Sequence, residues 1–406
     1  MKVITTNSQE WQKLCGRQTI RKRRLEESVR KIVDDVHQGG DEALLRYTRR
    51  FDRVKLTPRQ LRVTEAEISG AFQHLDPKFA LQLKSAIQNV NAFYGRPRLK
   101  PVRLMDGDGA VLSEKFDPIE RVGVYIPGGT ASLVSTVYMT VIPAKKAGVK
   151  RVILATPPRK DGSVDPHILA VASLLDVDEV YKMGGAQAIA AMAFGTKTIP
   201  KVDKIVGPGN AFVAEAKRQV FGFVDVDTIA GPSEIAVIAN HYSNTQYVLA
   251  DLMGETEHAG GIGFLITTSK ALAKLAREQI PGGYCMLVKN LDEAADVANR
   301  LAPEHLEIMV QSPQKLAKRI TRAGAIFLGQ YSPVTVGDYV AGPSHVLPTG
   351  GSAQAFSGLG IDDFIRRTHV ITYTKKALER LREPLEKLTA IEGLPRHYDA
   401  VKVRLQ

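Results

Sequence analysis

The feature that most constrains the fold is an alternation of short apolar segments with helical segments, which runs from residue 121 to residue 330. Short apolar strands joined by helices of this length predict right-handed βαβ units around parallel sheets. A break at Ala230-Gly231-Pro232-Ser233 divides the alternation into two α/β blocks, at about 122–232 and 234–330. The predicted strands are 122–126, 151–155, 179–183, 204–206, 234–239, 263–267, 285–288, 306–310 and 325–328.

The segments on either side of this alternation carry mainly helical patterns. The pattern from Ser8 to about Val90 predicts helices, with a stop signal at Gly39-Gly40. A hairpin is predicted around the turn residues 106–109. The tail from about Ile361 is predicted to be helical and to end in a polar segment.

Composition is typical of a soluble globular protein. The chain has 406 residues, of which 44% are apolar and 24% charged. This length predicts two or three domains. Cys15 and Cys285 are far apart and form no CxxC motif, which favours a reducing compartment and leads us to expect a cytoplasmic protein. Residues 1–8 lack the pattern of a signal peptide, and no segment approaches the ~18 apolar residues of a membrane span.

The formal net charge of +12 suits an anionic ligand without identifying one. The densest basic run is Arg21-Lys22-Arg23-Arg24, and neither zinc-finger spacing nor basic–aromatic interleaving accompanies it. A solvated helix face or a field that attracts an anionic cofactor is therefore favoured over nucleic-acid binding. The run itself does not decide between these roles.

A polar pair near the end of one predicted helix has the chemistry of a metal site. Glu255 and His258 lie in the run Asp251 to Gly260, and they share a face if the helix continues through both. A carboxylate oxygen and an imidazole nitrogen suit Zn²⁺ or a similar divalent ion, with further ligands supplied by other parts of the chain. The alternative is a solvated helix end, where a histidine is well placed. Because two-residue patterns are common by chance, the pair alone favours this alternative.

Three predicted strand ends are rich in glycine: Pro127-Gly128-Gly129, Gly184-Gly185-Ala186-Gln187 and Gly207-Pro208-Gly209-Asn210. Glycine after a strand lets a ligand approach the backbone, and the N-terminus of the next helix favours phosphate. None of the three is GxGxxG, and glycine at a tight turn is often purely steric. Three such turns in one block favour a nucleotide or another anionic ligand.

Five further polar residues are candidates for catalysis or metal binding. Glu304 and His305 are adjacent at the start of a predicted strand, where histidine can act as a general base. A polar strand entry explains this pair equally well. Asp338 and His345 lie in a long segment predicted to have little regular structure, and such segments are often functional. His397, near the C-terminus, would ordinarily be exposed to solvent.

The segments that carry a family resemblance are 122–129 (VGVYIPGG), 184–190 (GGAQAIA), 207–210 (GPGN), 230–234 (AGPSE), 303–306 (PEHL), 337–339 (GDY), 345–349 (HVLPT) and His397. Together they resemble the histidinol dehydrogenase family over nearly the whole chain. The resemblance implies a zinc-dependent, NAD-linked, four-electron oxidation of L-histidinol to L-histidine through the aldehyde, the last step of histidine biosynthesis. It also implies an α/β fold with two incomplete Rossmann-like domains, and an intertwined homodimer with shared active sites.

The resemblance further implies roles for individual residues. Glu304 and His305 would be the catalytic pair, in which His305 takes the alcohol proton and Glu304 activates water at the aldehyde stage. The implied cofactor contacts are Tyr125, Gln187 and Asn210. The implied metal ligands are Glu255, His258, Asp338 and His397. The implied substrate contacts are Ser233, Glu255, His258, His305, Asp338, His345, Glu392 and His397, with Glu392 facing the substrate ammonium and both Glu392 and His397 reaching the partner's site.

The resemblance also implies a division into domains. The four parts are an N-terminal helical extension (1–20), a first Rossmann-like domain with the metal and catalytic residues (21–121 and 234–360), a second on the cofactor side (122–233), and a helical tail reaching the partner (361–406).

The chain departs from the family pattern at two places. Glu255 stands where the family usually has Gln, and a carboxylate should hold Zn²⁺ more strongly while lowering its Lewis acidity. The region between His258 and Ala302 is shorter than is typical. A zinc alcohol dehydrogenase for another small polar alcohol is therefore the alternative within the class, and a non-catalytic or nucleic-acid-binding relative is the alternative outside it. With no GxGxxG motif and no obvious acidic ribose partner, NAD over NADP rests on the resemblance alone.

Overall fold

The computed structural model describes residues 1–16, 23–95, 100–128, 132–229, 231–258 and 260–406, apart from the side chain of His74. Four residues named above, Arg21, Lys22, Gly129 and Ala230, lie outside the described residues. The chain forms two compact units, which are described separately. The first is Met1–Arg96 with Glu120–Phe364, and the second is Pro97–Ile119 with Ile365–Gln406.

The strands of the described chain are β1 Lys2–Ile4, β2 Arg103–Met105, β3 Val111–Pro118, β4 Arg121–Tyr125, β5 Arg151–Thr156, β6 Glu179–Lys182, β7 Lys204–Val206, β8 Asp225–Val226, β9 Glu234–Ala239, β10 Ile262–Thr267, β11 Tyr284–Leu287, β12 His305–Met309, β13 Ala325–Leu328 and β14 Ile365–Thr372. The strands predicted from apolar segments are confirmed, most of them within one residue at each end. β1, β8 and β14 were not predicted.

The helices are α1 Gln9–Cys15, α2 Arg23–Phe51, α3 Glu65–Ala71, α4 Pro77–Tyr94, α5 Val134–Ala147, α6 Pro166–Leu174, α7 Gly185–Phe194, α8 Ala211–Val220, α9 Thr245–Glu255, α10 Lys270–Gln279, α11 Leu291–Leu301, α12 Pro313–Ala317, α13 Val334–Tyr339, α14 Lys375–Arg380, α15 Arg382–Ile391 and α16 Pro395–Leu405. The predicted stop at Gly39-Gly40 is confirmed as a kink within α2, where Gly40 has φ 53° and ψ −133°.

In the first unit, β4 to β8 form a parallel sheet in the order β6-β5-β4-β7-β8. Counted from β4, this order is 3-2-1-4-5, which matches the first five strands of the Rossmann arrangement. The strands of this sheet are mostly buried, and helices α2, α7 and α8 contribute to the core on it. The central pairing places Val124 of β4 between Leu154 of β5 and Val206 of β7.

The other sheet of this unit has the order β1-β11-β10-β9-β12-β13, and all its strands are parallel. Counted from β9, it repeats the 3-2-1-4-5 order, with β1 added beside β11. The N-terminal extension was predicted to be helical. It begins instead with this edge strand, and helix α1 follows. Its helix α1 buries Trp11 against the same core.

The second unit is built on an antiparallel sheet in the order β14-β3-β2. β2 and β3 form the predicted hairpin. β14 pairs with β3 along its length, from Ile365 opposite Pro118 to Thr372 opposite Val111. The prediction of a helical tail from about Ile361 is therefore wrong for Ile365–Thr372 and holds from Lys375 onward.

The strand topology confirms the predicted α/β class with two incomplete Rossmann-like sheets. Within the part of the chain that the structure describes, no helix is both long and apolar enough to span a bilayer. The two sheets of the first unit place the candidate residues at different edges. Glu304 and His305 lie at the amino ends of the strands of one sheet, whereas Tyr125 lies at the carboxyl end of a strand of the other.

Candidate active site

The predicted catalytic pair is buried at the start of β12. Glu304 is 7% exposed and His305 is 4% exposed. If these two residues are only a polar strand entry, that entry is a buried one. β12 runs parallel to β9, with His305 opposite Ile235. Glu234, at the start of β9, donates its backbone N–H to Glu304 Oε2 at 3.0 Å, and Glu304 donates its own N–H to Glu234 Oε1 at 3.3 Å. This exchange fixes the Glu304 carboxylate at the edge of the sheet.

The ring of His305 is held through one nitrogen and leaves the other available. Nδ1 lies 3.2 Å from the carbonyl oxygen of Glu234, which can only accept, so Nδ1 carries the hydrogen in this contact. Nε2 lies 3.5 Å from Asp338 Oδ1. Nε2 nevertheless has no hydrogen bond to any described residue. The geometry therefore leaves Nε2 free to exchange a proton with a ligand.

Carboxylates dominate the electrostatics of this site. Burial, together with the charges of Glu234 and Glu255, raises the pKa of Glu304 to about 8. Burial alone would lower the pKa of His305, but Glu304, Asp338 and Glu255 together raise this pKa to about 9. Several acids surround one imidazole, so the site is suited to a bound cation.

The metal ligands predicted at Glu255 and His258 do not share a helix face. α9 ends at Glu255, and His258 lies in the turn that follows, where its N–H donates to the Glu255 carbonyl at 3.2 Å. The chain then turns back tightly over the helix end at Gly261, where a Cβ would lie 2.0 Å from that carbonyl oxygen. His258 is exposed, as the solvated helix end predicts, but Glu255 is only 5% exposed.

Asp338 and His345 are linked to each other. Asp338 lies on the short helix α13, so the prediction that its segment lacks regular structure is wrong at this position. His345 Nδ1 is 2.8 Å from the backbone oxygen of Asp338, and its Nε2 is 3.2 Å from Thr136 Oγ1. Burial lowers the pKa of His345, which favours a neutral ring that donates through Nδ1.

Glu307 is a buried residue of this site that the sequence analysis missed. It lies two residues beyond His305 on β12, on the same face of the sheet, because side chains alternate along a strand. Its Oε1 accepts the N–H of Val334 at 2.9 Å, and Val334 is the first residue of α13. Glu307 therefore ties the helix that carries Asp338 to the strand that carries His305. Burial and the neighbouring carboxylate of Asp251 raise the pKa of Glu307 to about 8.

The donors at this edge fit a divalent cation. Glu255 Oε1 is buried and has no hydrogen-bond partner among the described residues. A buried, unpartnered carboxylate oxygen is costly unless a ligand satisfies it. Oxygen from Glu255 and Asp338 with nitrogen from His258 forms a donor set that Zn²⁺ accepts. Among the described residues, no three His, Cys, Asp or Glu side chains already converge on a metal-sized point.

The predicted cofactor contacts lie at the carboxyl edge of the other sheet. Tyr125 ends β4, and its hydroxyl accepts the N–H of Gly185 at 3.0 Å, while burial raises its pKa to about 12. Gln187 is 1% exposed, and both of its amide atoms lack a partner among the described residues. Asn210 begins α8 by accepting the N–H groups of Phe212 and Val213. The unpaired amide of Gln187 is suited to a polar ligand such as a nicotinamide cofactor.

A buried ion pair holds one of the glycine-rich turns in place. Lys217 Nζ lies 2.5 Å from Asp227 Oδ1, and both side chains are 3% exposed. Lys217 also donates to the carbonyl of Gly207 at 2.6 Å, while Asp227 Oδ2 accepts the Gly207 N–H at 2.7 Å. The turn that leads into Asn210 is thus fixed by charge-assisted hydrogen bonds. The sequence analysis did not identify this pair.

The remaining predicted contacts are found in two places. Ser233 is half-buried immediately before β9, next to Glu234. Glu392 and His397 belong to the second unit, where Glu392 ends α15 and His397 lies on α16. Both are exposed, as predicted for His397.

Known proteins resemble this chain over nearly its whole length. A family model described as histidinol dehydrogenase matches residues 15–405. The chain is 45% identical to the histidinol dehydrogenase of Bacillus cereus (strain ATCC 14579), covering 94% of this chain and 93% of that protein. It is 42% identical to that of Heliobacterium mobile, with 100% of both chains covered.

A solved structure supports the same relationship. The crystal structure of histidinol dehydrogenase from Elizabethkingia anophelis superposes with a TM-score of 0.92 at 34% identity, covering 100% of this chain and 98% of that one. Sequence and fold agree, and the chain belongs to the histidinol dehydrogenase family.

Proposed function

We propose that this protein oxidises L-histidinol to L-histidine through L-histidinal, the last step of histidine biosynthesis. Each turnover consumes two NAD⁺ and one water and forms two NADH and three protons. The observation that carries the proposal is the buried His305, whose unpaired Nε2 faces Asp338 beside Glu304 in a chain of this family. A proton acceptor and a carboxylate are the groups that the two successive oxidations need.

The two residues of the catalytic pair would act at different stages. In the first oxidation, the neutral form of His305 would take the hydroxyl proton of histidinol at Nε2 as a hydride leaves the adjacent carbon. Because the surrounding carboxylates raise the pKa of His305 to about 9, this neutral form becomes more populated as the pH rises toward 9. In the second, Glu304 would take a proton from water as it adds to the aldehyde. Glu304 suits this role because burial raises its pKa to about 8, which makes the ionised carboxylate a stronger base.

The acidic residues around His305 would hold a zinc ion and the substrate ammonium. Glu255, His258 and Asp338 would bind the metal, with His397 of a second subunit as the further ligand. Bound zinc would supply Lewis-acid polarisation of the substrate oxygen. His345, fixed by Asp338 and Thr136, would orient the substrate together with Ser233, and Glu392 of the second subunit would face the ammonium.

NAD⁺ would accept the hydrides at the carboxyl edge of the other sheet. Tyr125 would contact NAD⁺ through its hydroxyl, and Gln187 through its amide, which has no partner among the described residues. Asn210 would contact it at the start of α8. The proposal includes a homodimer with shared sites and a cytoplasmic location, the latter favoured by two cysteines far apart in sequence.

Zinc-loaded protein tested against a panel of small alcohols provides the decisive experiment. The measured quantity is NADH formation with L-histidinol, compared at equal concentration with other amino alcohols and with simple primary alcohols. L-histidinol is expected to give by far the highest kcat/KM. A better rate with another polar alcohol would favour the alternative substrate, for which Glu255 in place of glutamine is the motivating difference. No turnover on any alcohol, with salt-sensitive binding to duplex DNA, would favour a nucleic-acid-binding role.

A further inference from the structure

A cleft of about 640 Å³ lies in the first unit at the carboxyl ends of β4 and β5. Pro157, which follows β5, forms its floor together with Gly128 after β4. A Cβ at Gly128 would lie 2.5 Å from Pro157 Cγ, and one at Gly184, after β6, would lie 2.6 Å from Pro157 Cβ. Three strand ends therefore meet at one proline, and only glycine leaves room there.

The cleft is also lined by a carboxylate that is not fully hydrogen-bonded within the described residues. Asp52 follows the last residue of α2 and lines the cleft. Its Oδ2 is buried and has no hydrogen-bond partner among the described residues. Burial raises the pKa of Asp52 to about 6, and the charge of Asp52 contributes to the raised pKa of Tyr125. A negative charge at the C-terminus of a helix is unfavourable as well.

The other charged residues of the cleft differ in whether they are already paired. Arg159 forms an ion pair with Asp165, and Asp165 also accepts hydrogen bonds from Ser132 and the His167 N–H. Lys160 makes no ion pair with any residue that the structure describes. An incoming ligand would therefore meet one unpaired carboxylate and one unpaired ammonium group.

Asp52 supplies the kind of acidic group that dinucleotide-binding sites use to bind ribose. In Rossmann sheets, an acidic residue near the end of the second strand binds the ribose hydroxyls of NAD, whereas an arginine there accommodates the 2′-phosphate of NADP. The second strand here is β5, and the residues after it are Pro157-Pro158-Arg159-Lys160. No acid stands at the usual place in sequence. Asp52 reaches the same cleft from α2 instead.

We propose that Asp52 binds the adenosine ribose of the dinucleotide and selects NAD over NADP. Its carboxylate accepts hydrogen bonds from the 2′- and 3′-hydroxyls and repels a 2′-phosphate. This inference rests on the proposed NAD-linked function. It would also explain the unfavourable burial of Asp52, since ribose hydroxyls supply the missing donors.

The test compares Asp52→Asn with wild type, using Asp161→Asn as the matched control. Asp161 accepts hydrogen bonds from Ser163 within its own turn. Asp52→Asn is expected to raise the KM for NAD⁺ by about tenfold or more, the loss of one charge-assisted hydrogen bond, with kcat at saturating NAD⁺ within about twofold of wild type. Its KM for NADP⁺ should fall, because the repulsion is removed while Lys160 remains. Adding Lys160→Gln should reverse that gain, and Asp161→Asn should change none of these values.

Binding of ADP-ribose and of 2′-phospho-ADP-ribose, measured by calorimetry, separates this inference from the proposed function. These probes need neither histidinol nor zinc. Wild type should prefer ADP-ribose, and Asp52→Asn should lose most of the preference. If wild type oxidises histidinol but Asp52→Asn leaves both KM values and both probe affinities unchanged, the ribose assignment is wrong and the proposed function stands. If wild type binds ADP-ribose through Asp52 but oxidises no histidinol, the ribose assignment stands and the proposed function is wrong.

Discussion

Glu234 and Glu304 exchange two hydrogen bonds, each donating its backbone N–H to the other's carboxylate, at 3.0 Å and 3.3 Å. The pair joins the starts of two adjacent parallel strands, β9 and β12. Because His305 follows Glu304 and contacts the carbonyl of Glu234 through Nδ1, the same two residues also fix the imidazole ring. The proposed catalytic pair is therefore positioned by backbone groups at the starts of the two strands.

Substitutions in this pair should separate the two oxidation steps. His305→Asn removes the acceptor of the alcohol proton, so histidinol oxidation should slow by about 10²–10⁴ with a smaller effect on histidinal. Glu304→Gln should slow histidinal oxidation by a similar factor and affect histidinol less. Stopped-flow NADH formation from each substrate measures both, with the exposed Glu278→Gln as a control. Near wild-type rates on both substrates in both variants would refute the assignment.

Glu255→Gln tests the proposed metal ligand at the position where the family usually has glutamine. Glutamine has nearly the same shape, but the site loses one negative charge, so zinc retention should weaken by about tenfold, equivalent to ~1.4 kcal/mol. Histidinol activity should persist when zinc is in excess. The metal-free variant should melt no lower than metal-free wild type, because Glu255 Oε1 is buried and has no partner among the described residues. Zinc content after dialysis and the melting temperature check both points; unchanged retention would remove Glu255 from the ligand set.

The shared-site proposal predicts complementation between two inactive variants. His397→Ala lacks the ligand donated to the other subunit, and His305→Asn lacks the base. A mixed dimer has one intact site, so co-assembly in equal amounts should restore about a quarter of wild-type activity. Each variant alone should remain folded by circular dichroism and nearly inactive. If His397 served its own subunit, mixing would restore nothing.

The stability of Asp52→Asn should depend on pH with a defined sign. The pKa of Asp52 rises from 3.8 to about 6 on folding, so the native state holds the proton more tightly than the unfolded chain. The stability this provides is full below about pH 3.8 and is lost as the pH rises through about 6. Asp52→Asn should therefore melt higher than wild type at pH 8, with the difference shrinking toward pH 4.

The same substitution at Asp161 supplies a contrast of opposite sign. Hydrogen bonds from Ser163 lower the pKa of Asp161, so its carboxylate contributes stability above its ordinary pKa. Asp161→Asn should melt slightly lower than wild type at pH 8. A lower melting temperature for Asp52→Asn at pH 8 would show that its carboxylate is satisfied in the native state, contrary to the structure.

Local patterns predicted the two parallel sheets because each βα unit lies within a few tens of residues. They missed β1 because its partners are far away, with Lys2 opposite Tyr284. They missed β14 because its residues are largely exposed and show no clear apolar alternation. Its pairing with β3 bridges more than 200 residues, from Thr372 to Val111. Pairing at such separation has no local signal.

Residue types identified the catalytic candidates, but only the structure shows how far each is buried. Glu304 and His305 are equally consistent in sequence with a polar strand entry, and their burial at the start of β12, which pairs with β9, has no local signal. Glu255 and His258 were predicted on one helix face, yet the helix ends at Glu255 and the chain turns back over this end at Gly261. Glu307 and Asp52 carried no motif at all. Their importance comes from tertiary neighbours, which a single sequence does not contain.

The ratio of NADH formed to histidine formed tests the central claim most directly. Zinc-loaded protein is given L-histidinol and excess NAD⁺, and NADH and histidine are quantified in the same sample. Because both oxidations are assigned to one site built around Glu304 and His305, the ratio should be two from the earliest time points, without free histidinal. One NADH per histidinol with accumulating histidinal, or no NADH with zinc supplied, would contradict this account.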